Sequence, residues 1–432
     1  MNPQNTKKIS NLGFTSFNGT INPSTVNLKN KKLLGFNPNR GKQGEQGEPG
    51  IIRDMELYLE PNTENEEAII KWINKAFFNS NEWWRFNRIR NISVQELFDG
   101  PVEVGYRNWF RGGVLMPNNK ILFVPHDRLE VGIFNANTKT YSNGPVHGQG
   151  IGAFSGGVSL PDKRVCLIPH NSANILTYDN ASGTYTHTVA HGEATAPFYD
   201  GGVFLPNGTV CMVPANTGHI GIFNPNLNTY QIGPNITTTA TNDLFSGGVL
   251  LPNGQVLLVP FNNPNLGYYN PETNAYIEGS IIPNEILSET GGHFRGGVLG
   301  RNGLVYFIPY NAQEIGIYDP INDNWTIPSN MPPLTVTTEK FAGGALLNDG
   351  KIFLAAHGSY SHCIYDSEND RYSFPVIGSG SRNGFVNYGA IITEKGPICT
   401  IPYSVNYIQL IDTNYGYLVD PNTAYSPLFN KF

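Results

Sequence analysis

The hydrophobic positions of this 432-residue chain recur as pairs of short apolar runs separated by a tight polar turn. The clearest copy extends from Phe245 to Pro260, with Pro252-Asn253-Gly254 between its two runs. Asn-Gly between apolar runs is a strong hairpin signal, because both turn positions must accept a positive φ. The proline that ends the second run cannot donate a ladder hydrogen bond, so it closes that strand.

A glycine pair opens each copy, and its spacing predicts a long internal repeat. The pairs begin at Gly112, Gly156, Gly201, Gly247, Gly296 and Gly343, and Gly389-Ala390 is a seventh, degenerate copy; the intervals are 44, 45, 46, 49, 47 and 46 residues. A third apolar run, a polar turn and a fourth run beginning with an aromatic complete each copy. Four strands in a period of about 45 residues are typical of a propeller blade. An open solenoid is the alternative, but no polar capping repeat is visible.

The sequence therefore predicts an all-β protein with a seven-bladed β-propeller of four-stranded antiparallel blades over residues 101–432. The fourth strand of the seventh blade is expected near Tyr415 to Val419. On that interpretation the ring closes without a strand from the N-terminal side.

The hairpin and its following turn, as in Phe223-Asn224-Pro225, resemble kelch-type repeats and the related propeller of galactose oxidase. In this chain Val-Pro-x-Asn replaces the glycine pair that kelch repeats place after the second strand. That variant is similar to propeller repeats of large DNA viruses and phages. The resemblance implies the fold more than a function, because propellers serve many unrelated tasks. Copper chemistry like that of galactose oxidase is not expected, because Cys166, Cys211 and Cys399 fall on second strands, away from the axis.

Three segments precede the predicted propeller. Residues 1–40 form an extended polar arm, and residues 41–50 contain three Gly-x-y triplets. The triplets are either a flexible linker or a short collagen-like neck that joins three chains. Residues 51–100 are expected to be helical, with capping boxes at Thr63 and Ser93.

The composition indicates which kinds of partner and which cellular compartment to expect. A net charge of −6 without basic runs argues against nucleic-acid binding. No apolar run is long enough for a signal peptide or a membrane helix. The four cysteines are expected to be buried free thiols, which indicates folding in a reducing cytosol.

Two groups of candidate binding residues follow from the repeat. The residue after each Val-Pro and the amide or acid beyond it are expected on one face of the ring: His126, Asp127, His170, Asn171, Asn216, Phe261, Asn262, Tyr310, Asn311, His357 and Tyr403. They can bind a glycan by stacking and hydrogen bonding. In the alternative, which we favour, each Asn caps its own loop.

The residues before the glycine pairs are expected to line the channel, and Arg111, Asp200 and Arg295 are the charged ones. They either bind an anion or pair with one another, and pairing is favoured. His187 with His191, and His357 with His362, are expected to be solvated loop histidines. No metal, cofactor or catalytic residue is predicted.

These observations predict a non-enzymatic attachment protein on the surface of a virus or phage particle. Residues 1–100 are expected to bind other virion proteins, with a homotrimer through the neck, and the propeller a host glycan or surface protein. A cytoplasmic kelch-like interaction scaffold and a polysaccharide-acting enzyme are the alternatives.

Overall fold

The computed structural model divides the chain into two units, Met1–Asn91 and Ile92–Phe432. In the second unit it describes residues 94–100, 108–193, 196–238, 240, 242–288, 290–328, 331, 334, 337–359, 361–374 and 387–412. In the first unit it describes only strands β1 (Thr6–Lys8), β2 (Asn27–Leu28), β3 (Lys31–Lys32) and β4 (Glu56–Tyr58), with β1 antiparallel to β4 and β2 antiparallel to β3. The predicted arm, neck and helical segment otherwise lie outside the described residues. The described part contains no helix of the length and apolarity needed to span a membrane.

The second unit is a seven-bladed β-propeller, as predicted. One further strand, β5 (Val94–Asp99), precedes the first blade. Blade 1 contains β6 (Phe110–Met116), β7 (Lys120–Pro125), β8 (Glu130–Asn135) and β9 (Thr140–Val146). Blade 2 contains β10 (Phe154–Ser159), β11 (Arg164–Pro169), β12 (Asn174–Asp179) and β13 (Thr184–Ala190). Blade 3 contains β14 (Tyr199–Phe204), β15 (Val210–Pro214), β16 (His219–Asn224) and β17 (Thr229–Asn235).

The remaining blades repeat this arrangement. Blade 4 contains β18 (Phe245–Leu250), β19 (Val256–Pro260), β20 (Asn265–Asn270) and β21 (Ala275–Ile281). Blade 5 contains β22 (Phe294–Leu299), β23 (Val305–Pro309), β24 (Gly316–Asp319) and β25 (Asn324–Thr326). Blade 6 contains β26 (Phe341–Leu346), β27 (Ile352–Ala356), β28 (Cys363–Asp366) and β29 (Arg371–Ser373). Blade 7 contains β30 (Asn387–Ile392), β31 (Ile398–Pro402), β32 (Tyr407–Asp412) and β5.

The origin of the outermost strand of blade 7 corrects two predictions. This strand is β5, paired with β32 so that Asp99 faces Tyr407 and Val94 faces Asp412. Closure therefore does use an N-terminal strand, and residues 94–99 are not helical. The capping-box pattern of Ser93 and Glu96 suggested a helix there. The unpaired edge of β32 overrode that local preference, because each residue added to the ladder satisfies backbone groups.

Contacts between blade 1 and blade 7 complete the ring. The first strands of neighbouring blades touch in succession, and β30 touches β6. Asn119 N donates to Glu394 Oε1 at 2.9 Å, and Glu394 N donates to Asn119 Oδ1 at 2.8 Å. On the other side of the junction Trp109 N donates to Tyr403 O at 2.6 Å.

The glycine pairs allow the first strands to approach one another. In every first strand the pairing register shifts at the pair, which forms a β-bulge. Gly156 has φ +81°, and a Cβ there would lie 2.9 Å from Gly201 Cα of the next blade. A Cβ on the second glycine, Gly157, would lie 2.8 Å from Val114 Cγ2 of the preceding blade. The repeat thus keeps glycine where neighbouring blades meet most closely.

The core lies between the blades. One apolar cluster joins Phe123 and Phe134 of blade 1 to Ile401 and Leu410 of blade 7. Corresponding clusters join the other neighbouring blades. Second strands such as β11 are buried over most of their length, whereas the fourth strands are largely exposed. Each blade therefore buries its apolar faces against its neighbours, and burying apolar surface is the main stabilising contribution.

Candidate ligand-binding site at the mouth of the channel

First strands begin, and second strands end, on the same side of the propeller, which we call the mouth face. It is the side on which β7 ends at Pro125 and β10 begins at Phe154. The opposite side carries the hairpin turns, such as Pro252-Asn253-Gly254, and is called the hairpin face. The predicted face and channel residues meet at the mouth, where two clusters of polar groups surround the axis.

The first cluster is centred on Asp200 of blade 3, which is buried. Ser155 Oγ of blade 2 donates to Asp200 Oδ1, and Ser246 Oγ of blade 4 donates to Asp200 Oδ2 at 2.8 Å. Burial alone would raise the pKa of Asp200, but the charges of Arg295 and Arg111 and the hydroxyl of Ser155 bring it below its ordinary value. Asp200 is therefore a carboxylate whose two oxygens are both occupied by serine hydroxyls.

The second cluster contains Arg111 of blade 1. Its Nη1 lies 3.2 Å from His170 Nε2, and its Nη2 donates to Tyr403 Oη at 3.3 Å. The guanidinium carbon lies 5.3 Å from the centre of the Tyr388 ring and 5.7 Å from that of Tyr403. Contacts at such distances attract a cation to the negative face of an aromatic ring.

Arg295 of blade 5 is held differently. Its guanidinium carbon lies 4.4 Å from the centre of the Tyr310 ring, 4.7 Å from that of Phe261 and 5.1 Å from that of Tyr388. Ala342 stands at the corresponding position of blade 6, the blade between Arg295 and Tyr388 in the ring. Within the described part of the chain, the side chain of Arg295 donates no hydrogen bond to another residue. Cation–π contacts use its charge and leave its N–H donors unused.

The arginines act on Asp200 through their charge rather than through direct ion pairs. In the described structure no nitrogen of Arg111 or Arg295 lies within 4.0 Å of an Asp200 oxygen. The serine hydroxyls bond to both carboxylate oxygens, and the aromatic rings hold the guanidinium groups. Sequence alone located all three charged residues on first strands but did not indicate that Tyr388 would contact both arginines.

A circle of rings, formed by residues that the sequence predicted on one face of the propeller, surrounds the arginines. The centres of the His126 and His170 rings are 5.1 Å apart, those of Phe261 and Tyr310 5.7 Å, and those of Tyr310 and His357 5.6 Å. Tyr403 follows His357 at 5.1 Å. The position in blade 3 is alanine (Ala215) and leaves a gap in the circle.

The histidines of the circle are neutral. His126 Nδ1 lies 3.0 Å from Phe154 O, His170 Nδ1 lies 3.1 Å from Tyr199 O, and His357 Nδ1 lies 2.8 Å from Asn387 O. A carbonyl only accepts, so each Nδ1 carries the proton and each Nε2 has a lone pair. Burial, reinforced by the charge of Arg111, lowers the pKa of His126 to about 2 and that of His170 to about 4. Burial is also the main cause that lowers the pKa of His357 to about 4.

The amide side chains next to the circle bond to the loop that leads into the next blade rather than capping their own loops. This corrects the favoured alternative. Asn216 Oδ1 accepts from Asp243 N at 2.6 Å, Asn262 Oδ1 accepts from Gly292 N at 2.8 Å, and Asn311 Oδ1 accepts from Glu339 N at 2.8 Å. Asp127 Oδ1 likewise accepts from Gly152 N at 3.1 Å. In each case the N–H donor lies in the loop that leads into the next blade. Asn171 is exposed.

The histidines predicted to be solvated are buried where the structure describes them, whereas the cysteines agree with their prediction. His191, His357 and His362 are buried rather than solvated, with His362 Nε2 2.9 Å from Gln409 Oε1; the side chain of His187 is outside the described part. All four cysteines are free and buried, as predicted. Among the described residues no group of three or more His, Cys, Asp or Glu is arranged to hold a metal ion.

The fold and this mouth define a β-propeller protein with a polar, aromatic channel entrance. No protein-family model and no curated protein matches the sequence. The chain is similar in structure to a streptogramin B lyase (11% identity, TM-score 0.59, 74% of this chain and 97% of that one). It is also similar to a catalytically inactive histidine-to-alanine variant of virginiamycin B lyase from Staphylococcus aureus with quinupristin (13% identity, TM-score 0.60, 74% and 99%). A fungal alcohol oxidase in complex with copper is a third (13% identity, TM-score 0.54, 76% and 78%).

These comparisons correct the prediction that the protein is not an enzyme. The similar structures include a lyase and an alcohol oxidase, and at 11–13% identity they point weakly to enzyme relatives. At such identity the likeness shows the propeller fold alone. Kelch identity and the likeness to viral repeats stay predictions.

Proposed function

We propose that the protein is an attachment propeller of a virus or phage particle and that its mouth face binds a glycan on the host surface. The observation that carries this proposal is the circle of rings around the channel. Aromatic side chains stack on the apolar faces of sugars, and the neighbouring N–H donors can reach hydroxyl or acidic groups. The amides that the sequence offered for this task are already bonded to the interblade loops, so the rings and the arginines carry the binding.

The course of the chain through blade 7 supports display of the mouth. β32 begins on the mouth face and ends at Asp412 on the hairpin face, and Val94 faces Asp412. The chain therefore enters the propeller at the face opposite the binding site. Anchoring through residues 1–93, to other virion proteins or through a trimeric neck, would leave the mouth free on the particle surface. Folding in the cytosol of the producing cell belongs to the same proposal.

A glycan array probed with the full-length protein tests this function. Phe261→Ala removes one ring from the circle, and Leu227→Ala removes an apolar side chain of similar size that is exposed in the turn after β16, on the hairpin face. Binding that Phe261→Ala weakens and Leu227→Ala leaves unchanged supports the proposal. Absence of binding to glycans and to host cells would contradict it. A stable protein partner held through the mouth would instead favour an interaction scaffold.

Turnover of the bound glycan is a second candidate. It is favoured by the unprotonated Nε2 atoms of His126 and His357 beside two arginines, which can accept hydrogen bonds from hydroxyl groups of a substrate and so orient it. Mass spectrometry of the bound glycan after prolonged incubation tests it. Shortened products that disappear with both His126→Gln and His357→Gln would support catalysis.

A further inference from the structure

The charges at the seven channel positions do not balance, and in the described structure some of the hydrogen-bond donors there are unused. Arg111, Arg295 and Asp200 are the charged residues among the seven channel positions, which gives the channel an excess of one positive charge. Both oxygens of Asp200 accept from the hydroxyls of Ser155 and Ser246, and in the described structure neither arginine forms a direct ion pair with this carboxylate. An uncompensated charge in a narrow, partly desolvated site is costly.

Some of the hydrogen-bond donors of these channel residues also lack hydrogen-bond partners in the part of the chain that the structure describes. Within the described residues Arg111 Nε, Arg295 Nε and Tyr388 Oη are buried without a hydrogen-bond partner. Buried polar atoms without partners are rare, and a group of them at one place indicates that something else completes the site. Arg295 is partly exposed, and its guanidinium is fixed by Phe261 and Tyr310. A guanidinium held in this way presents a rigid fork that matches a carboxylate.

We propose that the channel mouth is a carboxylate-binding site and that the glycan is acidic, with a uronic or sialic acid unit whose carboxylate contacts Arg295 while its ring stacks within the circle. This inference rests on the proposed function and specifies its ligand. Three further acids nearby, Asp127, Asp243 and Glu339, belong to the surrounding loops; Asp127 is already bonded to Gly152 N, and Glu339 interacts with Tyr310. In the described structure none of these acids is bonded to the guanidinium of Arg295. This guanidinium is therefore the group that attracts an entering carboxylate.

The sugar is favoured over an acidic peptide because six of the seven circle positions carry a ring. Stacking surfaces on most sides of a single charged group suit a compact ring-shaped acid. An extended peptide would draw on backbone donors and acceptors. At the mouth several of those are already used between blades, as in the bond from Ala153 N to His126 O at 2.9 Å.

Methyl β-D-glucuronide and methyl β-D-glucoside form a matched pair of probes, because they differ only in the carboxylate. Isothermal titration calorimetry with the full-length protein is expected to show binding of the glucuronide that weakens with added salt, and much weaker binding of the glucoside. Arg295→Gln is expected to weaken glucuronide binding about ten- to hundredfold, the usual value of a hydrogen bond to a charged group. Arg295→Lys keeps the charge but loses the fork and is expected to give an intermediate affinity. Arg301→Gln, an exposed arginine in the turn between β22 and β23, is the matched control and should have no effect.

Circular dichroism melting shows which variants are folded, and Arg295→Lys keeps the test usable if Arg295→Gln is not. Equal binding of glucuronide and glucoside, unaffected by Arg295→Gln, would overturn the acidic-ligand inference and leave the proposed glycan binding intact. Binding of a tetraglutamate peptide in preference to the glucuronide would overturn the sugar assignment. Absence of saturable binding by the glucuronide and by N-acetylneuraminate at millimolar concentration would overturn the inference as well.

Discussion

The close approach of neighbouring first strands gives the sharpest prediction about the fold. Gly156→Ala places a Cβ 2.9 Å from Gly201 Cα and also forces alanine to adopt φ +81°. The backbone conformation costs about 1–2 kcal/mol for a residue with a Cβ. The clash cannot be relieved by a side-chain movement, because the opposing atom is backbone, and overpacking of this kind costs about 1–3 kcal/mol more. We therefore expect Gly156→Ala to lower the free energy of unfolding by about 2–5 kcal/mol.

Gly254→Ala is the matched control, because it separates the two contributions. Gly254 has φ +83° in a hairpin turn, and no atom of the described structure lies within 4 Å of the position its Cβ would take. It should lose only the conformational contribution of about 1–2 kcal/mol. Urea unfolding of both variants and the parent, followed by circular dichroism under one set of conditions, gives the comparison. Equal losses in the two variants would refute the close approach of blades 2 and 3.

Three further predictions follow from the site, the buried histidines and the ring closure. Asp200→Ala removes two hydrogen bonds between buried serine hydroxyls and a carboxylate, each worth about 1.5–3 kcal/mol, so thermal denaturation should show a loss of about 3–5 kcal/mol; a change below 1 kcal/mol would contradict the described contacts. The folded-state pKa values of the buried circle histidines lie well below about 6.5, the value for an unfolded chain. The contribution of these histidines to the free energy of unfolding should therefore be fully present above that pH and decrease as the pH drops toward 4, which melting temperatures across that range will show. Phe98→Ala removes a ring 5.8 Å from Phe134 at the closure and should cost about 2 kcal/mol, whereas Leu97→Ala, half-exposed on the same strand, should cost less than 1 kcal/mol; equal effects would argue against closure through β5.

Most of the fold could be predicted because its determinants are local and repeated. Asn-Gly turns, glycine pairs and strand-ending prolines each fix one backbone feature, and their period counts the blades. The pairing of β5 with β32 could not be read in this way. Its determinant is an unpaired edge more than 300 residues away in sequence, while Val94, Leu97 and Phe98 on their own have helical spacing.

The site was only partly predictable for a related reason. Repeat position placed Arg111, Asp200 and Arg295 at the channel, but their partners depend on which blades lie side by side. The two serines flank Asp200 because they occupy the same position in the blades on either side of it. Tyr388 meets Arg111 only because the ring closes. Recurrence of Asn after Val-Pro correctly indicated a structural task, although the bonded loop belongs to the next blade.

A crystal structure of the protein soaked with methyl β-D-glucuronide tests the central claim most directly. The account predicts density for the sugar within the circle of rings, with its carboxylate in hydrogen-bond contact with Arg295. Sugar density confined to the hairpin face or to the outer strands, with an empty mouth, would contradict it.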